Sequence, residues 1–229
     1  AVRAMYPSAV IDVLATSRNA AVYQHQKSIN TVRFDARVFA KRKRYDLVFD
    51  CEPYFNLSAL AAWWLGKHVV GFSHGARAQL YDSRVYYHDD QHVVETYLDL
   101  LKPLGVKKKL PSRLEPLRYA SEDAKNVEDL LFRAGIGQKE VVVGFGSSAA
   151  ESARMRVWPA EKFAQLADKL IKRFKVRVLL LGAGSESQIN QKIYAAAKHK
   201  ENIIDLSGRT NLPQLFYLMT RLKLFVGND

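Results

Sequence analysis

Glycine, hydroxyl and guanidinium groups are concentrated in one stretch of the sequence, GFGSSAAESARMRVWP at 144–159. Gly144 and Gly146 allow the backbone to turn tightly. Ser147 and Ser148 supply hydroxyl and amide donors, and Arg154 and Arg156 supply fixed positive charge just before a predicted helix. Together these groups predict a phosphate site. The spacing matches neither a P-loop nor a complete G-x-G-x-x-G, so a flexible loop with two surface arginines is the alternative.

Three later loops carry further candidates for the same site. Glu186, in GAGSESQ at 182–188, can accept the hydroxyls of a ribose, or it can complement the dipole of the following helix. Gly208 supplies a turn in LSGRTNL, and Asp229 ends the final GND. Each loop follows a predicted strand, where ligands of parallel sheets bind.

The first half of the chain offers weaker candidates. His88 and His92 lie four residues apart, but a zinc site needs a third ligand, so an exposed helix is favoured. Asp50 and Glu52 lie at the end of a predicted strand and form either the wall of an acceptor site or a simple turn. Cys51 has no base that the sequence locates, so it is not assigned as a nucleophile.

Strands and helices alternate through the second half of the chain. A helix follows a predicted N-cap at Ser121, another has its apolar face between Phe163 and Phe174, and two more follow caps predicted at Ser185 and at Thr210 or Asn211. Trp158 is assigned to the core. The predicted strands are 140–145, 176–182, 202–205 and 224–226. This alternation is typical of parallel βαβ units.

In the first half three strands are predicted in succession, followed by a helix, a fourth strand and a second helix. Asn56–Leu65 is predicted as a helix whose apolar face contains Leu57, Leu60, Ala61 and Trp64, and a second helical stripe runs from Val94 to Leu101. The predicted strands are 9–15, 30–34, 46–50 and 68–72. The polar, proline-containing stretch Lys107–Pro116 predicts a domain boundary, giving two Rossmann-like halves at 1–116 and 117–229. The first residues read as the end of a helix and the last as the start of a loop, so both halves are expected to be incomplete.

The composition points to anionic partners. The 229 residues include 35 Lys and Arg against 23 Asp and Glu, a net charge of +12. KRKR at Lys41–Arg44 and KKK at Lys107–Lys109 are either solvated loops or sites of attraction to an anionic membrane. The longest apolar stretch, Leu57–Gly66, is too short to span a bilayer. A single cysteine, Cys51, excludes an internal disulfide and fits a reducing compartment.

The sequence resembles one family as a set of motifs in order. Six segments are similar, in order and spacing, to the bacterial glycosyltransferase family of the ADP-heptose:lipopolysaccharide heptosyltransferases. In the first half they are YDLVFDCEP and VVGFSHGARAQLYDSRVYYHDDQHVVETYLDLLKPLGV. In the second half they are VGFGSSAAESARMRVWPAEKFAQLADKL, VLLLGAGSESQ, NIIDLSGRTNLPQL and LFVGND. This resemblance implies an α/β GT-B fold of two Rossmann-like domains with parallel sheets facing across a cleft. It implies that 1–116 is the acceptor domain and 117–229 the nucleotide-sugar donor domain, the first strand and the C-terminal end being absent.

The resemblance also implies residue roles. Arg156 stands just before W-P, where the family has a basic residue on the donor diphosphate, commonly Lys. Ser147 and Ser148 fall in the phosphate loop, Glu186 matches the acidic residue near the ribose, and Gly208 lies in the L-x-G-x-T element. Asp229 matches the first residue of the family's D-[ST]-G-x-x-H element.

The activity implied is inverting transfer of heptose from ADP-heptose to a lipopolysaccharide core or lipid A acceptor. No metal or other cofactor is expected, and the nucleotide-sugar is a substrate. The family's presumed Asp base lies in a loop after a first strand that this sequence lacks, so no catalytic residue is assigned and the chain alone is expected to be inactive. A cytoplasmic location is expected, with contact to the anionic inner leaflet of the inner membrane and no nucleic acid.

Two alternatives stay open at this point. One is another GT-B enzyme, a UDP-sugar transferase or an epimerase, because the sequence does not disclose the nucleobase. The other is a non-catalytic nucleotide- or nucleic-acid-binding protein, which the high charge permits. The aromatic residues fall on helix stripes and strands rather than among the basic runs, which disfavours a stacking platform for nucleic acid.

Overall fold

The chain folds as two compact units, Ala1–Pro116 and Leu117–Asp229. The structure, a computed structural model, describes residues 1–17, 19–40, 42–106, 116–148 and 157–228. Of the predicted boundary stretch Lys107–Pro116, only Pro116 is among them. Within the described ranges, no helix is long and apolar enough to cross a membrane.

The four strands predicted in the first unit are all present, but a short helix at Ala20–Tyr23 and a strand at Ser83–Val85 were not predicted. Its elements are α1 (Val2–Met5), β1 (Asp12–Ala15), α2 (Ala20–Tyr23), β2 (Asn30–Arg33), β3 (Tyr45–Asp50), α3 (Asn56–Leu65), β4 (Gly66–Phe72), β5 (Ser83–Val85) and α4 (Val93–Asp99). All its strand pairs are parallel within the described residues, and they form two ladders, β1-β2 and β3-β4-β5. A hydrogen bond of 2.7 Å from the Tyr45 hydroxyl to Asp12 Oδ2 connects the two ladders.

Helix α3 has the predicted bounds, and Ala61 of its predicted apolar face is buried, but the prediction is wrong for Leu57 and Leu60. Leu57 and Leu60 are exposed, while Ala59 and Ala62 are buried against Val69 of β4. Small side chains allow the helix to lie close to the sheet, and the larger apolar side chains are left on the outside. Periodicity finds an apolar stripe but does not say which of two apolar stripes faces the core.

The second unit is a doubly wound sheet. Its elements are α5 (Ser121–Arg133), β6 (Val142–Gly146), α6 (Ala160–Phe174), β7 (Arg177–Leu181), α7 (Ser187–Ala196), β8 (Ile203–Asp205), α8 (Leu212–Arg221) and β9 (Leu222–Gly227). The strands are parallel in the order β8-β7-β6-β9. The chain therefore builds outwards from β6 to β8 and then returns to add β9 on the other side of β6.

Both faces of this sheet are covered. On one face, Phe145 and Leu180 pack with Phe163 of α6 and Ile193 of α7. On the other face, strand residues that include Leu179 pack with residues of α5 and α8, among them Val127, Leu131 and Leu218. Strands covered on both faces need side chains that are apolar at every position, which explains the continuous run 176–182 in the sequence.

The helix starts differ in detail from the sequence prediction. Ser121 is the first residue of α5 rather than its N-cap, and the Asp123 carboxylate accepts the backbone N–H of Ala120 at 2.9 Å. Ser185 lies inside a 3₁₀ turn, Gly184–Glu186, so the predicted cap there is wrong. Of the two caps offered for α8, Asn211 is confirmed, because its side chain accepts the N–H of Gln214 at 2.9 Å.

Candidate functional site

The carboxyl ends of β6 and β9 mark the topological switch point of the second unit. The chain continues from β6 to β7 on one side and returns to β9 on the other. In open parallel sheets ligands bind at this point, outside the carboxyl ends of the strands. The residues that follow these strands therefore form the candidate site.

Asn228 connects the two sides of the switch point. Its backbone N–H donates to Gly146 O at 3.1 Å, and its Nδ2 donates to Ser147 O at 2.7 Å. Its Oδ1 accepts the backbone N–H of Trp158, just before α6, at 3.0 Å. Asn228 belongs to the final GND, and the sequence analysis assigns it no role. An amide side chain directly after a buried strand is the signal that could have found it.

Ser147 is buried and tied to a second polar group. Its hydroxyl donates to Asn190 Oδ1 at 2.5 Å, and Asn190 Nδ2 donates to Ser207 Oγ at 2.7 Å. The Ser207 hydroxyl in turn donates to Asp205 Oδ1 at 2.5 Å. This network links the ends of β6 and β8 through α7, so the hydroxyl of Ser147 is committed to the loops themselves.

Ser148 and Glu186 meet, although they are 38 residues apart in the sequence. The Ser148 hydroxyl donates to Glu186 Oε1, and Glu186 Oε2 accepts the backbone N–H of Ala183 at 2.5 Å. Glu186 also immediately precedes α7, so the geometry is compatible with its complementing the helix dipole. A carboxylate has about four lone-pair positions, which leaves capacity for further donors.

Gly208 joins the loops that follow β7 and β8. Its N–H donates to Gly182 O at 2.8 Å, and its φ of 68° is in the left-handed region. A Cβ at this position would lie 2.9 Å from the Cα of Gly184. Only glycine permits this backbone approach without displacement.

The structure therefore brings four of the six predicted donor-site residues to one edge of the sheet: Ser147, Ser148, Glu186 and Gly208. Arg156 and Asp229 lie outside the described residues, as does Arg154. The assignment of Trp158 to the core is wrong, because its side chain is 41% exposed. Its ring packs edge-on against Phe163 of α6, with the ring centres 5.0 Å apart, and this contact leaves much of the residue exposed.

In the first unit Asp50 is the centre of a buried polar cluster. Its Oδ2 accepts from Arg77 Nη2 at 2.7 Å, from the Tyr81 hydroxyl at 2.8 Å and from Ser58 Oγ at 3.0 Å. Burial, and then the hydrogen bond to Asp50, raise the pKa of Tyr81. Glu52 accepts the N–H of Tyr54 at 3.0 Å, as in a turn. Of the two interpretations of this stretch, the contacts favour a structural one.

The exposed helix favoured for His88 and His92 is wrong, because α4 begins only at Val93, and the two histidines have separate contacts. His92 precedes α4, and its Nδ1 accepts the N–H of Val94 at 3.2 Å, while His88 Nδ1 lies 3.4 Å from Asp90 Oδ1. In the part of the chain that the structure describes, no three His, Cys, Asp or Glu side chains are grouped so that they could hold a metal ion. Cys51 is exposed and forms no disulfide.

Comparison with known proteins gives one consistent result. Residues 38–229 match the family described as glycosyltransferase family 9 (heptosyltransferase). Lipopolysaccharide heptosyltransferase 3 of Escherichia coli (strain K12) is 24% identical over 246 residues, an alignment that covers 98% of this chain and 69% of that protein.

Two solved structures show the same fold. E. coli ADP-heptose lps heptosyltransferase II superposes with a TM-score of 0.79 at 22% identity, over 100% of this chain and 72% of that one. A family 9 glycosyltransferase from Veillonella parvula DSM 2008 gives a TM-score of 0.83 at 20% identity, over 99% and 69%. The expected α/β fold class, GT-B-like with parallel sheets, is thereby confirmed.

Proposed function

Because the chain belongs to glycosyltransferase family 9 (heptosyltransferase), we propose that it serves the transfer of heptose from ADP-heptose to a lipopolysaccharide core acceptor, with inversion at the anomeric carbon. The relatives whose names mention ADP-heptose or lipopolysaccharide support this choice of donor and acceptor. The activity class, glycosyl transfer, follows from the family. The sugar, the nucleobase, the acceptor and the stereochemistry are proposals.

The observation that carries the proposal is the edge of the second unit at its switch point. Loops from β6, β7, β8 and β9 converge there and are fixed to one another by Asn228, Asn190, Glu186 and Gly208. A site whose polar groups are held before the ligand arrives loses less entropy when it binds. A nucleoside diphosphate presents a ribose and two phosphates, which these loops can meet with a carboxylate, hydroxyls and backbone N–H groups.

The roles of Ser147, Ser148, Glu186 and Gly208 are proposed from this placement, and those of Arg156 and Asp229 from the resemblance that the sequence shows. Arg156 is proposed to neutralise the diphosphate as it departs, and the Ser148 hydroxyl to donate to a phosphate oxygen. Asp229, which matches the first residue of the D-[ST]-G-x-x-H element, is proposed to belong to the same donor site. Glu186 is proposed to accept the ribose hydroxyls, and Ser147 and Gly208 to hold the loops in position. Charge neutralisation by Arg156 and helix N-termini replaces a metal in this scheme, so donor binding is expected to survive a chelator.

The first unit, 1–116, is proposed to hold the acceptor. A phosphorylated glycolipid presented at the cytoplasmic face of the inner membrane suits a chain with a net charge of +12. No residue of the chain is assigned as the base that removes the proton of the acceptor hydroxyl.

Calorimetric titration with ADP and with UDP tests the donor assignment. We expect ADP to bind more tightly than UDP, and Arg156→Ala to weaken ADP binding about tenfold or more, the loss of a charge-assisted contact. Arg173→Ala, an exposed arginine at the end of α6, is the matched control and should leave the affinity unchanged.

Two outcomes would contradict the proposal. Tighter binding of UDP would favour a different nucleotide-sugar enzyme of the same fold. A folded chain that binds neither nucleotide, as checked by cooperative melting, would remove the donor site from the second unit.

A further inference from the structure

The outer face of α3 carries large apolar side chains where a helix on a protein surface is ordinarily polar. Ala59, Ala61, Ala62 and Leu65 face inwards and are buried, whereas Leu57, Leu60 and Trp63 point outwards with 41%, 48% and 42% of their surface exposed. Helical spacing of these three residues places them within about a third of the helix circumference. We call them the α3 outer face.

A basic segment is fixed to the end of this helix. The Lys43 backbone N–H donates to Trp64 O at 2.9 Å, and its ammonium donates to Trp63 O at 2.9 Å and to Gly66 O at 2.7 Å. Carbonyls at the last turn of a helix lack partners within the helix, and Lys43 satisfies two of them. Phe39 O also accepts the indole N–H of Trp64 at 2.6 Å. Lys43 and the Phe39 carbonyl are therefore attached to α3.

Two basic side chains, those of Arg42 and Lys43, lie against the tryptophan rings of α3. The guanidinium carbon of Arg42 is 5.1 Å from the centre of the Trp64 ring, and Lys43 Nζ is 5.5 Å from the centre of the Trp63 ring. Such contacts hold positive charge beside an apolar face. Neither Phe39–Arg44 nor α3 contains an acidic residue. Arg42 and Arg44 are both exposed, and the guanidinium carbon of Arg44 is 5.9 Å from the centre of the ring of the next residue, Tyr45.

We propose that the α3 outer face, with Arg42 and Arg44, is a docking surface for an anionic lipid bilayer. Tryptophan is enriched at the level of the lipid headgroups, where its ring is apolar and its N–H is wet. Apolar side chains that enter the headgroup boundary and basic residues that meet lipid phosphates together produce reversible binding. The inference deepens the proposed function by specifying which surface of the chain meets the membrane that carries its acceptor.

Binding to lipid vesicles tests this surface. The full chain is expected to co-sediment with vesicles of phosphatidylcholine containing phosphatidylglycerol, and much less with pure phosphatidylcholine. Arg42→Gln with Arg44→Gln should weaken binding about fivefold for each charge lost. Trp63→Ser and, separately, Leu60→Gln should weaken it at unchanged net charge.

The matched control is Arg173→Gln with Phe174→Ser at the end of α6. This pair repeats the chemistry of the proposed surface, with the guanidinium carbon 5.2 Å from the ring centre and with Phe174 56% exposed, but in the second unit. It should leave vesicle binding unchanged. An equal loss in this control would mean that any exposed cation and aromatic pair suffices, which would overturn the proposal.

Depth of insertion gives a second readout. With Trp64→Phe and Trp158→Phe, Trp63 is the remaining tryptophan of the three, and brominated phosphatidylcholine should quench its fluorescence. Failure to bind phosphatidylglycerol vesicles would overturn the proposal. A dimer that Trp63→Ser converts to monomer without any effect on vesicle binding would do so too, because a second copy would then cover the face.

ADP titration of the same variants separates this inference from the proposed function. The surface residues lie outside the donor loops, so their replacement should leave ADP affinity unchanged. If the wild-type chain binds vesicles through this face but binds no nucleotide, the proposed function fails and the docking surface stands.

Discussion

The two units use their buried polar side chains differently. In the second unit the Ser147–Asn190–Ser207 chain of hydrogen bonds joins loops that follow different strands. In the first unit the cluster around Asp50 and Arg77 joins a strand end to helical turns beneath the surface, with both side chains less than 5% exposed. The first arrangement fixes the rim of the candidate site, and the second fixes a core.

The sheets of the two units also differ, in their continuity and burial. β6 and β7 are central strands buried on both faces, and β6 has a parallel partner on each side. In the first unit the ladder β1-β2 is separate from β3-β4-β5 within the described residues, and Leu14 of β1 is 38% exposed. A continuous buried sheet holds its loops in register, so we expect the second unit to bind ligand with little rearrangement and to be the more stable of the two.

The largest test of this comparison is Asp50→Ala. Removing the carboxylate leaves Arg77 as a buried cation without its counter-ion, which should reduce the free energy of unfolding of the first unit by about 3–5 kcal/mol. In a Trp158→Phe background the remaining tryptophans, Trp63 and Trp64, both lie in the first unit, so urea unfolding followed by fluorescence reports that unit. The affinity for ADP should not change, because the second unit is intact.

Asp46→Ala is the control for that substitution. The Asp46 carboxylate pairs with Lys67 at 2.8 Å, but both side chains are largely exposed. Ion pairs of this kind contribute about 0–1 kcal/mol. Equal losses for Asp46→Ala and Asp50→Ala would show that burial of the Asp50 cluster does not govern the stability of the first unit.

Asn190→Ala should reduce the free energy of unfolding of the second unit, by less than Asp50→Ala reduces that of the first. The change leaves the buried Ser147 hydroxyl without its acceptor and Ser207 without its donor, at about 2–3 kcal/mol of unfolding free energy. Unlike Asp50→Ala, it should also weaken ADP binding, because the loops after β6 and β8 lose their connection. Urea unfolding by circular dichroism and ADP calorimetry measure the two effects.

Gln188→Ala, an exposed position on the same helix, is the matched control and should change neither quantity. A destabilised Asn190→Ala chain that binds ADP as tightly as the wild type would show that the network supports the core alone. The contrast drawn between the two units would then be lost.

Much of the fold was predictable because it rests on local pattern. The buried strands of the second unit have continuous apolar runs, and α3 has the spacing of a helix. The pairing of polar side chains and the orientation of α3 were not predictable, because they depend on which residues meet in space. Nothing local pairs Asp50 with Arg77 or Ser147 with Asn190, and the orientation of α3 depends on which stripe fits closely against β4.

The candidate site was predictable in position but not in detail. Strand ends in a parallel sheet converge whatever their side chains are, so the four loops could be assigned to one edge. Asn228 was missed because its role depends on β9 lying beside β6, a neighbour relation that chain order does not disclose. The contacts of Arg156 and Asp229 stay predictions, since both lie outside the described residues.

The smallest expected loss of stability concerns Gly208, where two features require glycine: a positive φ and a close approach to the backbone of Gly184. Gly208 and Gly135 have similar positive φ values, 68° and 72°, but a Cβ on Gly135 would meet no atom within 4 Å, while one on Gly208 would meet the backbone of Gly184. Gly135→Ala should therefore cost only the backbone strain, about 1 kcal/mol, and Gly208→Ala about 2 kcal/mol in total. Only Gly208→Ala should weaken ADP binding, because it pushes apart the loops after β7 and β8. If the two substitutions lowered stability equally and left ADP affinity intact, the close contact of these loops would be incidental to the site, and the second unit would resemble the first in using its polar and glycine residues for folding alone.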